Sequence, residues 1–156
     1  MSDGSIRRLY DVQDPAIGDA GFDYSDGFEL TAAATRKRTP ESLARAALED
    51  MPRGLRSLVI VVHRRVLRFR LAPSPSKDHV LGWHIVDSAD DHFVLEADGP
   101  VMRGVMVGRK TAPSVVVLKT FVFYRQPKAR LIWRAVGPLH RTVAPYLLRR
   151  AARELT

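Results

Sequence analysis

Cysteine is absent from the chain. That excludes a disulfide framework, a thiolate metal site and a cysteine nucleophile. Long apolar runs are absent too. The longest tight one, Leu58 to Val62, falls far short of the roughly 20 residues a membrane span requires. The first residues, MSDGSIRRLYDVQD, are polar and mixed in charge, with no apolar core of the kind a signal peptide needs. A soluble, cytoplasmic protein is the expectation. There is no Gly-rich phosphate loop, nucleophile elbow or His-Glu metal motif, and no internal repeat or low-complexity stretch. His79, His84 and His92 are scattered at no ligand spacing, so neither a metal nor a cofactor is expected.

Acidic residues are scarce in two places. Residues 51–70 hold Arg53, Arg56, Arg64, Arg65, Arg68 and Arg70 and no acid. Residues 128–156 hold seven basic residues against Glu154 alone. The remaining 107 residues have 12 basic and 16 acidic side chains, so the net charge of +8 belongs to these two segments. Such segments suit an anionic lipid surface, nucleic acid or an acidic ligand. They equally suit ordinary helices whose outer faces are solubilised by arginine.

What is present describes one ordinary domain. The chain has 156 residues, 46% hydrophobic and 27% charged, which is enough to bury a core and too apolar for disorder. Residues 1–21 read as a flexible or extended lead-in, with DPAIGDAG at turn spacing. DYSDGFELT, Asp23 to Thr31, reads as a first strand in which Tyr24, Asp26 and Phe28 alternate. Asp23 and Asp26 are expected as turn and cap residues rather than metal ligands. Thr39-Pro40-Glu41-Ser42 opens a helix, with Thr39 as cap and Pro40 in the first position, running to about Asp50. After Met51-Pro52-Arg53-Gly54, a second helix is expected from about Leu55 to Leu71, burying Leu55, Leu58, Val59, Val62, Val66 and Phe69. The β-branched run within it also suits a strand, but the arginine-flanked period over the whole stretch favours a helix.

A proline-rich loop, Ala72 to Asp78, marks a change of period from helical to about two. Strands are expected over His79–Asp87, His92–Asp98, Val101–Arg109 and Ser114–Arg125, joined by short turns into an antiparallel meander. With the first strand this makes five. From Gln126 to Thr156 the chain reads as one long helix, with Leu131, Val136, Leu139, Val143, Leu147 and Ala151 as its apolar stripe.

An order of strand, two helices, several antiparallel strands and a long C-terminal helix resembles the helix-grip fold of START-type lipid-transfer domains, the birch-pollen-allergen family and polyketide cyclases. Within that superfamily the chain is similar to the DUF2867-type proteins, a bacterial family of unknown function common in actinobacteria. The resemblance is carried by Asp23-Tyr24-Ser25-Asp26 with Phe28; by Asp78 to Trp83; by Val94 to Ala97; by Thr120-Phe121-Val122 with Tyr124; and by Pro138 to Arg141 leading into Leu147 to Arg150. It implies an α+β domain over residues 22–156, a curved antiparallel sheet wrapped around the C-terminal helix and an apolar cavity between them.

In such a fold, strand alternation puts Leu81, Trp83, Ile85, Phe93, Leu95, Met102, Met106, Leu118, Thr120, Val122 and Tyr124 on the inward face. The helix adds Trp133 or Val136, then His140 and Val143. The candidate ligand-binding residues are Leu81, Trp83, Phe93, Leu95, Met102, Met106, Leu118, Thr120, Tyr124, Val136 and His140; no catalytic residue is assigned. Methionine and aromatic side chains make a soft lining for a hydrophobic ligand, and also an ordinary core. His140 follows the Gly137-Pro138 break, where proline removes a backbone donor and frees a carbonyl. The first functional expectation is a binding protein for a small hydrophobic or amphipathic molecule. The second is a cyclase- or aromatase-like enzyme in which His140 and Tyr124 move protons. The third is a basic-surface protein for anionic lipid or nucleic acid. The lack of a sheet with interleaved aromatic and basic residues weakens its nucleic-acid version.

Overall fold

Period-two patterning dominates the chain after residue 78, and it builds one sheet. A computed structural model describes residues 4–73 and 76–155. The first three residues of the expected lead-in, Ser74 and Pro75 of the proline-rich loop, and Thr156 lie outside the described residues. The strands are β1 (Ser5–Leu9), β2 (Tyr24–Thr31), β3 (His79–Val80), β4 (Trp83–Ser88), β5 (His92–Ala97), β6 (Met102–Ala112) and β7 (Val115–Tyr124). They form a curved, open antiparallel sheet of seven strands in the order β1-β2-β7-β6-β5-β4-β3. The helices are α1 (Pro40–Leu48), α2 (Arg53–Val61) and the 27-residue α3 (Lys128–Glu154). The protein is thus α+β, with a long C-terminal helix. Among the described residues no helix is long and apolar enough to cross a membrane.

The sheet has seven strands rather than five for two reasons. Residues 5–9 pair with β2 as an edge strand, Ser5 opposite Thr31 and Leu9 opposite Gly27. The stretch His79 to Asp87 is a hairpin, not one strand. Leu81 and Gly82 take φ of 50° and 85°, so the chain reverses there and Val80 pairs with Trp83. Two successive positive φ values are those of a tight two-residue hairpin turn. A leucine in that conformation is strained, and its burial beside Leu43 and Leu147 compensates.

The start of α1 follows its sequence. Thr39 Oγ1 accepts the Ser42 amide at 3.1 Å, and Pro40 occupies the first helical position. The second helix stops sooner than its pattern suggests. After Val61 a π-helical turn spans Val62–Val66, and it ends at Leu67, still in the helical region, and Arg68 at a φ of 63°. A left-handed residue closes the helix end, and the Phe69 amide donates back to the His63 carbonyl at 2.8 Å. With the helix ended there, Leu67 and Phe69 are both buried while Arg68 and Arg70 are exposed. Leu58 and Val66 of the expected stripe are instead exposed.

In α3 the expected stripe faces inward except at its start: Leu147 and Ala151 are buried and Val136, Leu139 and Val143 line the hollow under the helix, but Leu131 does not join them. Leu131 is 65% exposed, while Ala129, Trp133, Gly137, Leu147, Leu148, Ala151 and Ala152 are buried. Small residues let the helix approach the sheet and α1 closely. Pro138 and Pro145 both lie within this single helix. Two glycines on one face of β6 matter in the sheet as well. The ring of Phe93 lies where a side chain on Gly108 would stand, and that of Trp83 covers Gly104.

The outward face of the sheet is covered rather than solvated. Val94, Val105, Val107 and Phe121 form a second apolar layer with Val12, Ile17 and Phe22 from the segment between β1 and β2. Phe22 meets Phe121 edge-on with ring centres 5.2 Å apart. This strap is pinned by Asp14, whose carboxylate receives Arg109 Nε at 2.7 Å, Arg109 Nη2 at 2.8 Å and Lys119 Nζ at 2.9 Å. Burial works to raise the Asp14 carboxyl, but hydrogen bonds from Arg109, the Ala16 amide and Lys119 hold it well below the usual carboxylate range. Its contribution to stability is therefore present above that range and fades as pH falls through and below it.

Replacing Asp14 strands two partly buried cations under the strap. We expect Asp14→Ala to cost about 2–3 kcal/mol in urea unfolding near neutral pH, and the deficit against the parent to shrink as the solution is acidified. A midpoint unchanged from the parent would show that the strap is held by its apolar contacts alone.

Candidate functional site

The concave face of the sheet curves away from the middle of α3. The helix packs tightly at its two ends, through Ala129 and Trp133 and through Leu147 to Ala152, and its middle turns face open space. That space is a cavity of about 110 Å³. Its walls are β4–β7, α1, the α2 end with the π-helical turn, and α3. Nearly every side chain on it is apolar.

Seven of the expected residues come together on this wall: Trp83, Phe93, Met106, Leu118, Thr120, Val136 and His140. The other four do not. Leu81 sits in the β3–β4 turn and packs in the cluster around Leu43. Leu95 and Met102 are fully buried in the packed core beside the cavity. Tyr124, near the end of β7, is half-buried, and its backbone amide donates to Asp23 Oδ2 at 2.7 Å.

Four polar residues that the expected set omits surround the site. Asp26 lies in the middle of β2 opposite Thr120 and is almost wholly buried. It is not a turn or cap residue. Tyr24, two residues earlier on the same face, donates its hydroxyl to Asp26 Oδ2 at 2.6 Å and accepts from Arg141 Nη1 at 3.1 Å. His140 Nε2 stands 2.9 Å from the same Oδ2. The contact does not meet hydrogen-bond geometry, and Nε2 has no bonded partner among the described residues. Burial, reinforced by the neighbouring carboxylate, pushes the Tyr24 hydroxyl up to about 12, which keeps it a donor.

The fourth is His63, in the π-helical turn. Its Nδ1 accepts Trp83 Nε1 at 3.3 Å, and its ring contacts those of Phe69 and Trp83 edge-on. A neutral imidazole that accepts at Nδ1 carries its proton on Nε2. Burial, with His140 nearby, pulls His63 down to about 4. It is therefore neutral near pH 7. Trp133 stacks at a tilt between Tyr24 and His140, with ring centres 5.1 and 5.5 Å away. Its indole Nε1 is buried and has no partner among the described residues, and one oxygen of Asp26, Oδ1, is in the same position.

These residues left traces in the sequence. Asp26 alternates with Tyr24 and Phe28, so it shares a face with two aromatics, which a solvent-facing turn residue does not. His63 adjoins Val62 and lies one turn beyond Val59, and all three line the cavity. No group of histidine and carboxylate residues able to hold a metal ion occurs among the described residues. No family model matches the chain, and no curated protein matches it.

What the arrangement offers chemically is an apolar chamber with one polar corner. Donors come from the Trp133 indole and the neutral His63, and a histidine stands against a buried carboxylate. The depressed His63 has a measurable signature. The unfolded chain takes up its proton near pH 6.5 and the folded chain only near 4, so stability is full above the first value and declines as pH falls toward the second. From this group alone we expect a loss of about 2 kcal/mol between about pH 7.5 and about pH 5. Urea unfolding of His63→Phe should lack that component, whatever constant offset the lost Trp83 partner introduces. Equal pH slopes in the two proteins would place the titration elsewhere.

Proposed function

We propose that this protein binds a small, largely apolar molecule with a single hydrogen-bond acceptor, held between the sheet and α3. The observation that carries this is the buried Nε1–H of Trp133, a residue of the cavity wall, which has no partner among the described residues. An orphaned buried donor costs about 1–3 kcal/mol, a cost that a ligand oxygen would relieve. The cavity is of the same order as the ~150 Å³ pocket that takes up benzene in another protein, so a ring-sized body suits it. Met106, Phe93 and Trp83 supply the adaptable wall, and Thr120 and His63 the remaining polar atoms. The helix-grip reading and the likeness to DUF2867-type proteins belong to the same proposal. They are supported by the order strand, two helices, antiparallel strands and long helix, with β1 as an added edge.

Acid–base catalysis of the cyclase kind is a second reading, favoured by one observation. His140 reaches the cavity wall with the Asp26 carboxylate at 2.9 Å behind it, and Tyr24, itself held by Arg141, donates to that carboxylate. A carboxylate so placed orients an imidazole and supports a positive charge developing on it. Tyr24, rather than Tyr124, is the tyrosine in contact with this pair.

Native mass spectrometry of the purified protein, set against its denatured mass, tests the binding reading. We expect a mass excess that vanishes on denaturation, or uptake of a small apolar fluorophore by a protein that emerges empty. Trp133→Phe should weaken that uptake about tenfold, and Val136→Trp, which fills the cavity, should abolish it. A clean mass with no uptake would leave a filled or unused core. A conversion of the released ligand that is lost in His140→Ala while uptake persists would establish the second reading.

A further inference from the structure

One face of this molecule is apolar and cationic together, and it lies on the outer side of the cavity wall. The inner side of α2 and its π-helical turn lines the cavity through Val59, Val62 and His63. The outer side carries Leu58, 45% exposed, and Val61, 53% exposed, one helical turn apart. Arg53, Arg64 and Arg65 are exposed along the same stretch, and Arg68 and Arg70 just after it. None of these five arginines pairs with a carboxylate among the described residues, and residues 51–70 contain no acid at all. No residue of α2 or of the π-helical turn is fully buried: Leu55, Val59, Ile60 and Val62 pack partly against the core, while Leu58, Val61 and Val66 are left exposed. Leu139, 36% exposed while lining the cavity, marks where the cavity approaches the surface.

We propose that the outer stripe of α2 and the π-helical turn docks the protein on an anionic lipid bilayer, with Leu58 and Val61 below the headgroups and the arginines at the phosphates. Charge complementarity selects the partner's sign. The aliphatic centre selects its kind. Arginine stems extend along an apolar surface while their guanidinium groups reach the interface, and a short helix with apolar and basic residues on one exposed face suits that boundary. A second copy of this chain is disfavoured, because a self-complementary contact would bring unpaired arginines together. Nucleic acid would leave Leu58 and Val61 without apolar cover, and the stripe exposes no aromatic ring for a base to stack on. Docked this way, the wall of the cavity faces the bilayer, and an apolar ligand exchanges with the lipid without crossing water. That exchange rests on the binding reading above; docking itself does not.

Flotation with vesicles tests this. We expect the protein to float with phosphatidylcholine vesicles containing phosphatidylserine and not with phosphatidylcholine alone, and salt to weaken the binding. The double variant Arg64→Glu, Arg65→Glu should bind at least about 25-fold more weakly, taking about fivefold per arginine removed. Leu58→Ser with Val61→Ser should weaken it too, and all these side chains are exposed, so thermal midpoints should stay near the parent's. The cysteine-free chain allows a second measurement. An environment-sensitive label on Leu58→Cys should shift to the blue with the anionic vesicles, and one on Val86→Cys, in β4, should not. Failure of the parent to float, or unchanged binding in the arginine variant, overturns the proposal. So does tighter binding to duplex DNA that the Leu58 and Val61 substitutions leave intact, which would assign the surface to nucleic acid. Uptake of the apolar fluorophore without vesicles reports on the cavity alone, so either idea can fail while the other stands.

Discussion

Strands β5 to β7 are apolar on both faces, and a sheet of that kind has to be covered twice. One cover is helical. α1 and α3 lie on the concave side, where Leu43, Ala47, Leu147 and Ala151 meet Phe28 and Leu30 of β2. The other is an irregular strap, residues 11–22, laid across Val94, Val105, Val107 and Phe121. An irregular segment cannot satisfy its backbone by a ladder, so it needs anchors. Asp14 provides one through Arg109 and Lys119, and β1 provides another by extending the sheet beneath the strap's start. The chain on either side of β2 is thereby committed, and the remaining freedom lies in how the helices sit on the concave face.

There the curved sheet and the continuous 27-residue α3 do not meet along their whole length, and the cavity is the difference. The helix is held at both ends and bridges the hollow between them. Side chains on its bridging turns border that hollow instead of a packed neighbour, and Arg141 and His140 among them meet Tyr24 and Asp26 of the facing strand. Asp26 is that facing strand's contribution. It gathers Tyr24, Arg141 and His140 into one corner, and so joins β2 to α3 by polar contacts where apolar contact is interrupted. His63 and Trp83 form a separate pair on the opposite wall, the histidine neutral because burial disfavours its charged form. A low-dielectric chamber with a few placed polar groups is the usual physical form of a small-molecule site.

Much of this was legible in the chain. Alternation over residues 92–98, 101–109 and 114–125 is strong, and those strands form where the pattern places them. The Thr39-Pro40 helix start reads directly, because capping is a local interaction. Five of the cavity residues, Trp83, Phe93, Met106, Leu118 and Thr120, follow from alternation alone, since strand faces are decided by parity. The misreadings have local causes too. Counting large aliphatics overlooked alanine and glycine as contact residues, so Leu131 was favoured over Ala129 and Gly137. Helical spacing around the arginines outweighed the alternation in Leu67-Arg68-Phe69. The tight turn at Leu81-Gly82 was missed because leucine rarely adopts a positive φ and packing had to enforce it.

The sequence by itself determined the α+β class, the strands of the meander, the C-terminal helix, the absence of thiol chemistry and the concentration of positive charge in two segments. Each of these depends on neighbours within a few residues or on composition. Only the tertiary structure decided that the outer face of the sheet is strapped down by Asp14, that Asp26 meets His140 across 114 positions of chain, and that α2 keeps aliphatic residues in solvent while its other side walls a cavity. Those facts follow from the sheet's curvature and the seating of α3 upon it, which no short window of residues contains.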